Sequence, residues 1–176
     1  MGPKVVQVTD EMLVETQTEN PKEFLRDPFG RDGARGVPIA LPMAEREQWQ
    51  AAFNQLPVMV HLGAFVDIRD PVTVRVVLPK FYPYHLGGMG GTSMNGGMIA
   101  AMFDCALAVA GILQFPEQAA GTVDLSIKIS RAVCSQRVVA YSRAIKRTET
   151  IAFVEAVLFD GQNRHCASAA GIVAAT

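Results

Sequence analysis

Charge is scarce in this sequence, and what there is cancels. Charged side chains make up 19% of the 176 residues, below the quarter usual in soluble domains, and the net charge is -1. A balance of this kind builds no basic field for nucleic acid or an anionic membrane, so neither partner is expected. So little charge also suggests that part of the surface is buried against another subunit. Cysteine is equally sparse: Cys105, Cys134 and Cys166 form no close pair. That excludes a disulfide scaffold and a CxxC metal knuckle, fits a reducing compartment, and makes each thiol a small buried hydrophobe. The N-terminal stretch MGPKVVQVTDEMLVE has no apolar core of a signal peptide, and Val6 stands where myristoylation needs Ser or Thr. A cytoplasmic protein is expected.

Long hydrophobic runs are absent but for one. Met98 to Phe115 is 18 residues long, within the range of about 17 to 25 that spans a bilayer. Asp104 lies near its centre, no Lys or Arg flanks it, and polar strand-like sequence follows. A helix apolar on all sides also suits the centre of a soluble core, and that reading is adopted.

What is present is a 49% apolar chain, enough for one domain with an appendage. Residues 1–42 mix Pro, Gly and charge without sustained periodicity and read as an N-terminal extension with one short helix; residues 43–176 read as the domain. Pro42 opens a helix through MAEREQWQAAFNQL, loosely amphipathic at Met43, Trp49, Ala52, Phe53 and Leu56 and stopped by Pro57. The period then changes to 2. Val60, Leu62, Ala64, Val66 and Ile68 predict a strand, Arg69-Asp-Pro71 a turn, and Val72 to Leu78 a second strand. After a long loop and the apolar helix come four more strands. In the first of these, Val123, Leu125, Ile127 and Ile129 are expected on one face, with Thr122, Asp124, Ser126, Lys128 and Ser130 on the other. Residues 137–148, 150–160 and 164–174 complete a meander with a turn at Asp160-Gly161-Gln-Asn163. Strands that need no crossover give an antiparallel sheet, hence an α+β fold with one sheet wrapped around one long central helix.

Asp104 is the sole charge in that helix, and an unpaired carboxylate in apolar surroundings costs several kcal/mol, roughly. Gly97, Ala100, Ala101, Ala108 and Gly111, all small, lie three, four or seven positions away and form a smooth strip beside it. Either Asp104 is a buried carboxylate bonded to nearby backbone, or the strip admits another backbone or a slender ligand. The preceding loop, GGMGGTSMNGG, lacks the Lys-Ser/Thr of a P-loop and has no βαβ setting for a dinucleotide. It ends with Asn95 as a helix N-cap, leaving N–H groups at Gly96 and Gly97 at the positive end of the helix dipole, an oxyanion hole in outline. A plain capped helix after a flexible loop fits the same residues. Gly96 and Asp104 are about 12 Å apart along a helix, at roughly 1.5 Å per residue. One reaction therefore uses both only if the carboxylate comes from a second copy of the chain, across a twofold interface.

The ordered set NGGMIAAMFDCA, GTVDLSIKISR and IAFVEAVLFD closely resembles the PaaI-like (phenylacetate-degradation type) hotdog acyl-CoA thioesterases over about residues 57–174. The resemblance implies a hotdog fold, a dimer or dimer of dimers, an acyl-CoA substrate, and no metal or cofactor beyond the coenzyme A of that substrate. It implies that Gly96, with Gly97 alongside, donates to the thioester oxygen. Asp104 of the partner subunit would be general base or nucleophile, and Thr122 would position the water. Arg131, Lys146 and Arg147 are candidates for the coenzyme A phosphates. Two departures stand out: Asn95 replaces the family's His, and Met89 stands where some relatives carry an amide. His85, in the same loop, is a substitute candidate. The competing expectation is a hotdog protein that binds acyl-CoA or fatty acid without turnover; a hydratase lacks its helix signature here. The acyl group is open: the alanines permit a tunnel, and Phe81, Tyr82 and Tyr84 an aryl pocket.

Overall fold

The computed structural model describes residues 28–30, 36–88 and 91–176. The short helix expected within residues 1–42 lies outside the described residues. Helix α1 (Met43–Asn54) is followed by α2 (Pro57–Leu62), then strands β1 (Phe65–Asp67) and β2 (Val74–Leu78). A short 3-10 turn (Pro83–His85) leads to the central helix α3 (Gly96–Ile112). Strands β3 (Ala120–Ile129), β4 (Val138–Arg147), β5 (Ile151–Asp160) and β6 (His165–Ala175) follow. The six strands form one antiparallel sheet in the order β1-β2-β4-β5-β6-β3, wrapped around α3 in the hotdog arrangement.

Three expectations are corrected. Val60 and Leu62 belong to a helix rather than to the first strand. Pro57 does not merely stop α1: its fixed φ suits the first position of α2. Gly63, at φ 65°, then closes α2 with Gly63 N–H on the Val60 carbonyl and Ala64 N–H on that of Met59, so the strand starts only at Phe65. Second, β3 pairs with β6 rather than with β4, so the strands after α3 are not a simple meander. Third, the period-2 pattern of β3 is interrupted by a bulge. Thr122 faces Val173 and Asp124 faces Ile172, leaving Val123 as the extra residue, 66% exposed. The bulge turns Thr122 onto the face shared by Leu125 and Ile127, opposite to the face expected. Ile129 is likewise exposed.

The core lies between sheet and helix. Phe103, Leu107 and Ala110 of α3 are buried against β-strand residues such as Val154, Ala156 and Val173. Gly111 allows Val173 to sit where a Cβ would be. The Ser142 hydroxyl donates to the Ala106 carbonyl at 2.6 Å, tying β4 to the middle of the helix. The described part of the extension joins this body: Ile39 and Leu41 are buried in the core, and Phe29 lies under the Arg143 guanidinium at 4.0 Å on the outer sheet face. Among the described residues, no helix is long and apolar enough to cross a membrane.

The two sheet edges differ. Strand β1 is short, and α1 lies along it with three polar side chains four residues apart. The Asn54 amide accepts from Val66 N–H at 2.6 Å and donates to its carbonyl at 3.3 Å. Gln50 accepts from Ile68 N–H, and Arg46 donates to the carbonyls of Ile68 and Asp70. The helix thus supplies the hydrogen bonds a further strand would make, which closes this edge. Strand β3, ten residues long, forms the other edge.

Candidate active site

The N-terminus of α3 is built by its cap. Asn95 has φ -64° and ψ 139°, and its side-chain oxygen accepts from Gly97 N–H at 2.7 Å. Its own carbonyl accepts from Met98 and Ile99 N–H, its N–H donates to the His85 carbonyl at 2.8 Å, and the chain before it is pinned by the Leu86–Met94 bridge. Gly97, expected to donate beside Gly96, has thereby committed its N–H to the cap. Gly96 N–H has no acceptor among the described residues. It is exposed, and no acidic residue in the first turn offsets the positive end of the helix dipole.

Asp104 is not the buried carboxylate its surroundings in sequence suggest: it is exposed. The sheet wraps α3 except along one stripe, where Gly97 and Asp104 are exposed and Ala100, Ala101 and Ala108 half-buried. Gly111 leaves this stripe, since it packs on Val173. Beside the stripe Cys105 is buried, and that burial, with the Asp104 charge, pushes its thiol up to about 11. Cys166 is buried too, whereas Cys134 is exposed, contrary to the expectation for all three cysteines.

Strand β3 runs antiparallel to α3. At one end, Ile129 Cδ1 lies 3.7 Å from where a Gly96 Cβ would be; at the other, Thr122 pairs with Val173, the neighbour of Gly111. Thr122 is therefore about 20 Å from Ile129 at roughly 3.3 Å per residue. Its hydroxyl is buried without a hydrogen-bond partner among the described residues. One chain thus holds Gly96 at one end of the exposed α3 stripe and its neighbouring strand β3, Thr122 at the other end, and Asp104 between them.

The remaining candidates divide between the two ends. Arg131 follows Ile129 at the Gly96 end and is exposed. Lys146 and Arg147 are at the opposite end, where Arg147 pairs with Ala152 and its guanidinium lies 5.0 Å from the Phe115 ring. Met89 lies outside the described residues. His85 is fully buried, with both ring nitrogens engaged, and so does not stand free as a ligand group. Tyr84 is exposed and stacks between Tyr82 and His61, while Phe81 is buried. The edge-closing role of Arg46, Gln50 and Asn54 escapes sequence reading, although their i, i+4, i+8 spacing was visible.

The family model of the thioesterase superfamily matches residues 91–167, from the glycine loop through α3 into β6. No curated protein matches the chain. Among solved structures, a thioesterase family protein from Silicibacter pomeroyi superposes with a TM-score of 0.66 at 21% identity, covering 76% of this chain and 98% of that one. The E. coli PaaI protein of the phenylacetic acid degradation operon gives a TM-score of 0.63 at 17% identity, covering 75% and 95%. A hypothetical thioesterase with coenzyme A from Streptococcus pneumoniae gives 0.56 at 15% identity, covering 64% and 85%. At these identities the likeness is one of fold.

Proposed function

We propose that this chain is an acyl-CoA thioesterase that works as a homo-oligomer, a twofold dimer or a dimer of dimers. Gly96 N–H of one subunit receives the thioester oxygen, and Asp104 of the partner subunit activates water or attacks the carbonyl. The observation that carries this reading is one helix with an unpaired N–H at its positive end and an open carboxylate about 12 Å along it. Antiparallel pairing of β3 with a second β3 brings the Thr122 end of the partner subunit to the Gly96 end of the first. Asp104 of the partner, at the middle of its helix, reaches the same end only in a pairing register offset from the middle of β3, and the proposed site requires that offset. As charge develops on the thioester oxygen, the fixed Gly96 dipole stabilises it more than it stabilised the neutral carbonyl, which is what lowers the barrier. Arg131 is placed to meet a coenzyme A phosphate at the same end, and Lys146 and Arg147 reach it only from a partner. The coenzyme A held by the S. pneumoniae protein of this fold supports the substrate class.

A second reading, an acyl-CoA or fatty-acid binder without turnover, draws on Asn95, which occupies Gly97 N–H and leaves a single donor. Thiol release measured across acyl-CoA esters separates the two. Hydrolysis by wild type that collapses in Asp104→Asn supports the enzyme; binding without release supports the binder. Equal release by both proteins removes Asp104 from the chemistry.

A further inference from the structure

We propose that His85 is a positioning residue that holds the Gly96 amide in its productive orientation by clamping three chain segments; this rests on the oxyanion role given to Gly96. The clamp is read from hydrogen bonds. The Nε2 atom of His85 is 2.9 Å from the Leu62 carbonyl, and Nδ1 is 2.9 Å from Tyr82 N–H. A carbonyl only accepts and an amide only donates, so Nε2 carries the proton and Nδ1 is bare: the ring is the neutral tautomer. The third bond is made by the backbone, where the His85 carbonyl accepts from Asn95 N–H at 2.8 Å.

Those three bonds join the end of α2, the 3-10 turn and the cap of α3. The Asn95–Gly96 peptide plane carries the candidate donor. Its carbonyl is fixed by Met98 and Ile99 N–H, and the residue that begins it is fixed through Asn95 N–H by His85. Between His85 and Asn95 the sequence holds Gly87, Gly88, Gly90 and Gly91, and glycine is the residue type that restricts its own backbone least. A ring held at both nitrogens, 0% exposed, with Tyr84 edge-on at 4.3 Å, gives the loop a rigid starting point. Preorganisation of this kind matters because a donor displaced by an ångström stabilises the oxyanion far less. His85 is fully buried with both ring nitrogens engaged, so its part is to position, through Asn95.

The test compares His85→Phe, which keeps a ring and loses both ring hydrogen bonds, with His85→Gln, whose amide restores a donor near Nε2 and keeps the comparison open should the Phe variant not fold. Steady-state kinetics are measured well below each melting temperature, alongside hydrogen exchange of the Asn95 and Gly97 amides without substrate. The expected result for His85→Phe is kcat down at least tenfold, KM within threefold, and faster exchange at both amides, with His85→Gln between it and wild type. Unchanged exchange at Asn95 overturns the clamp, and so does faster exchange with wild-type kcat. Exchange is read in the resting protein, so a wild type without turnover refutes the thioesterase reading while leaving the clamp to be decided by exchange alone.

Discussion

Replacing Gly96 with proline removes the proposed oxyanion donor and little else. The site accepts proline unusually well. Position 96 is the first residue of α3, where proline's fixed φ suits the helix and the lost N–H has no intrahelical acceptor. Asn95 before it already has ψ 139°, the extended conformation that a residue preceding proline prefers. A Cβ there meets nothing nearer than Ile129 Cδ1 at 3.7 Å, an ordinary contact. Stability should therefore change by no more than about 0.5 kcal/mol, as for a surface substitution. Loss of an oxyanion donor costs about 10²–10³ in kcat, or roughly 2.7–4 kcal/mol of transition-state stabilisation. Gly96→Pro should accordingly melt like wild type, bind substrate nearly as well and turn over at least a hundredfold more slowly. Wild-type kcat in a folded Gly96→Pro protein would refute the donor role.

The same variant tests where the carboxylate comes from. In a heterodimer purified through two different tags, one subunit carries Gly96→Pro and the other Asp104→Asn. If each site combines Gly96 of one subunit with Asp104 of the other, one of the two sites is intact, and about half the wild-type rate returns. If both groups act within a single chain, each subunit is damaged and the heterodimer is as slow as the two homodimers. That second outcome would sink the twofold site, whatever the fate of the donor.

Three further outcomes follow from the fold. Asn54→Ala strips partners from both the N–H and the carbonyl of buried Val66, costing about 1–3 kcal/mol for each group left unpaired; denaturant melts should show the loss, and the Val66 amide should exchange faster. Gly111→Ala drives a methyl onto the Val173 Cβ, an overpacking cost of about 1–3 kcal/mol that should lower the melting temperature, and adding Val173→Ala should not restore it because that Cβ remains. Burial, with a smaller contribution from the nearby His61 charge, holds His85 below its ordinary 6.5, against the raising effect of its bond to Leu62. The neutral form is thus favoured in the fold, so the unfolded chain binds more protons, and this stability is present above pH 6.5 and lost as pH falls towards the folded value. The slope is at most about 1.4 kcal/mol per pH unit. His85→Gln should remove that slope, with His61, Tyr82 and Tyr84 retained as the other titratable neighbours; an unchanged slope would assign it to another group.

What the sequence reveals and what it hides have physical causes. The central helix α3 is legible as one long apolar run, and β5 because burial alternates along its whole length. Strands β4 and β6, whose burial does not alternate strictly, are legible from their apolar content and the turns that bound them. The segment from Val60 to Ile68 misleads because a six-residue helix and a short strand joined at Gly63 mimic one alternating strand. Helix capping by Gly63, a single left-handed residue, breaks the pattern without disturbing its spacing. Thr122 is misassigned for a related reason: one bulged residue inverts every side chain on its N-terminal side, and hydropathy alone does not reveal it. The exposure of Asp104 depends on how far the sheet reaches around α3, which is a property of the assembled sheet and of no local stretch. The cap at Asn95, by contrast, is legible, since its chemistry is local.

The difference between the sheet's edges bears on the candidate chemistry. With β1 closed by Arg46, Gln50 and Asn54, a second copy that extends the sheet has one long edge to use, and that edge is β3. Twofold pairing of a strand with its own copy is necessarily antiparallel. Because β3 itself runs against α3, such pairing sets the two helices head to tail across the interface. The glycine end of one helix then faces the length of the other, where the stripe of small residues lets it approach and Asp104 is the sole charge. In the proposed dimer, a carboxylate that would be costly inside a monomer's core lies instead on the face that the second copy would cover, and the heterodimer assay above decides whether it serves the partner's Gly96.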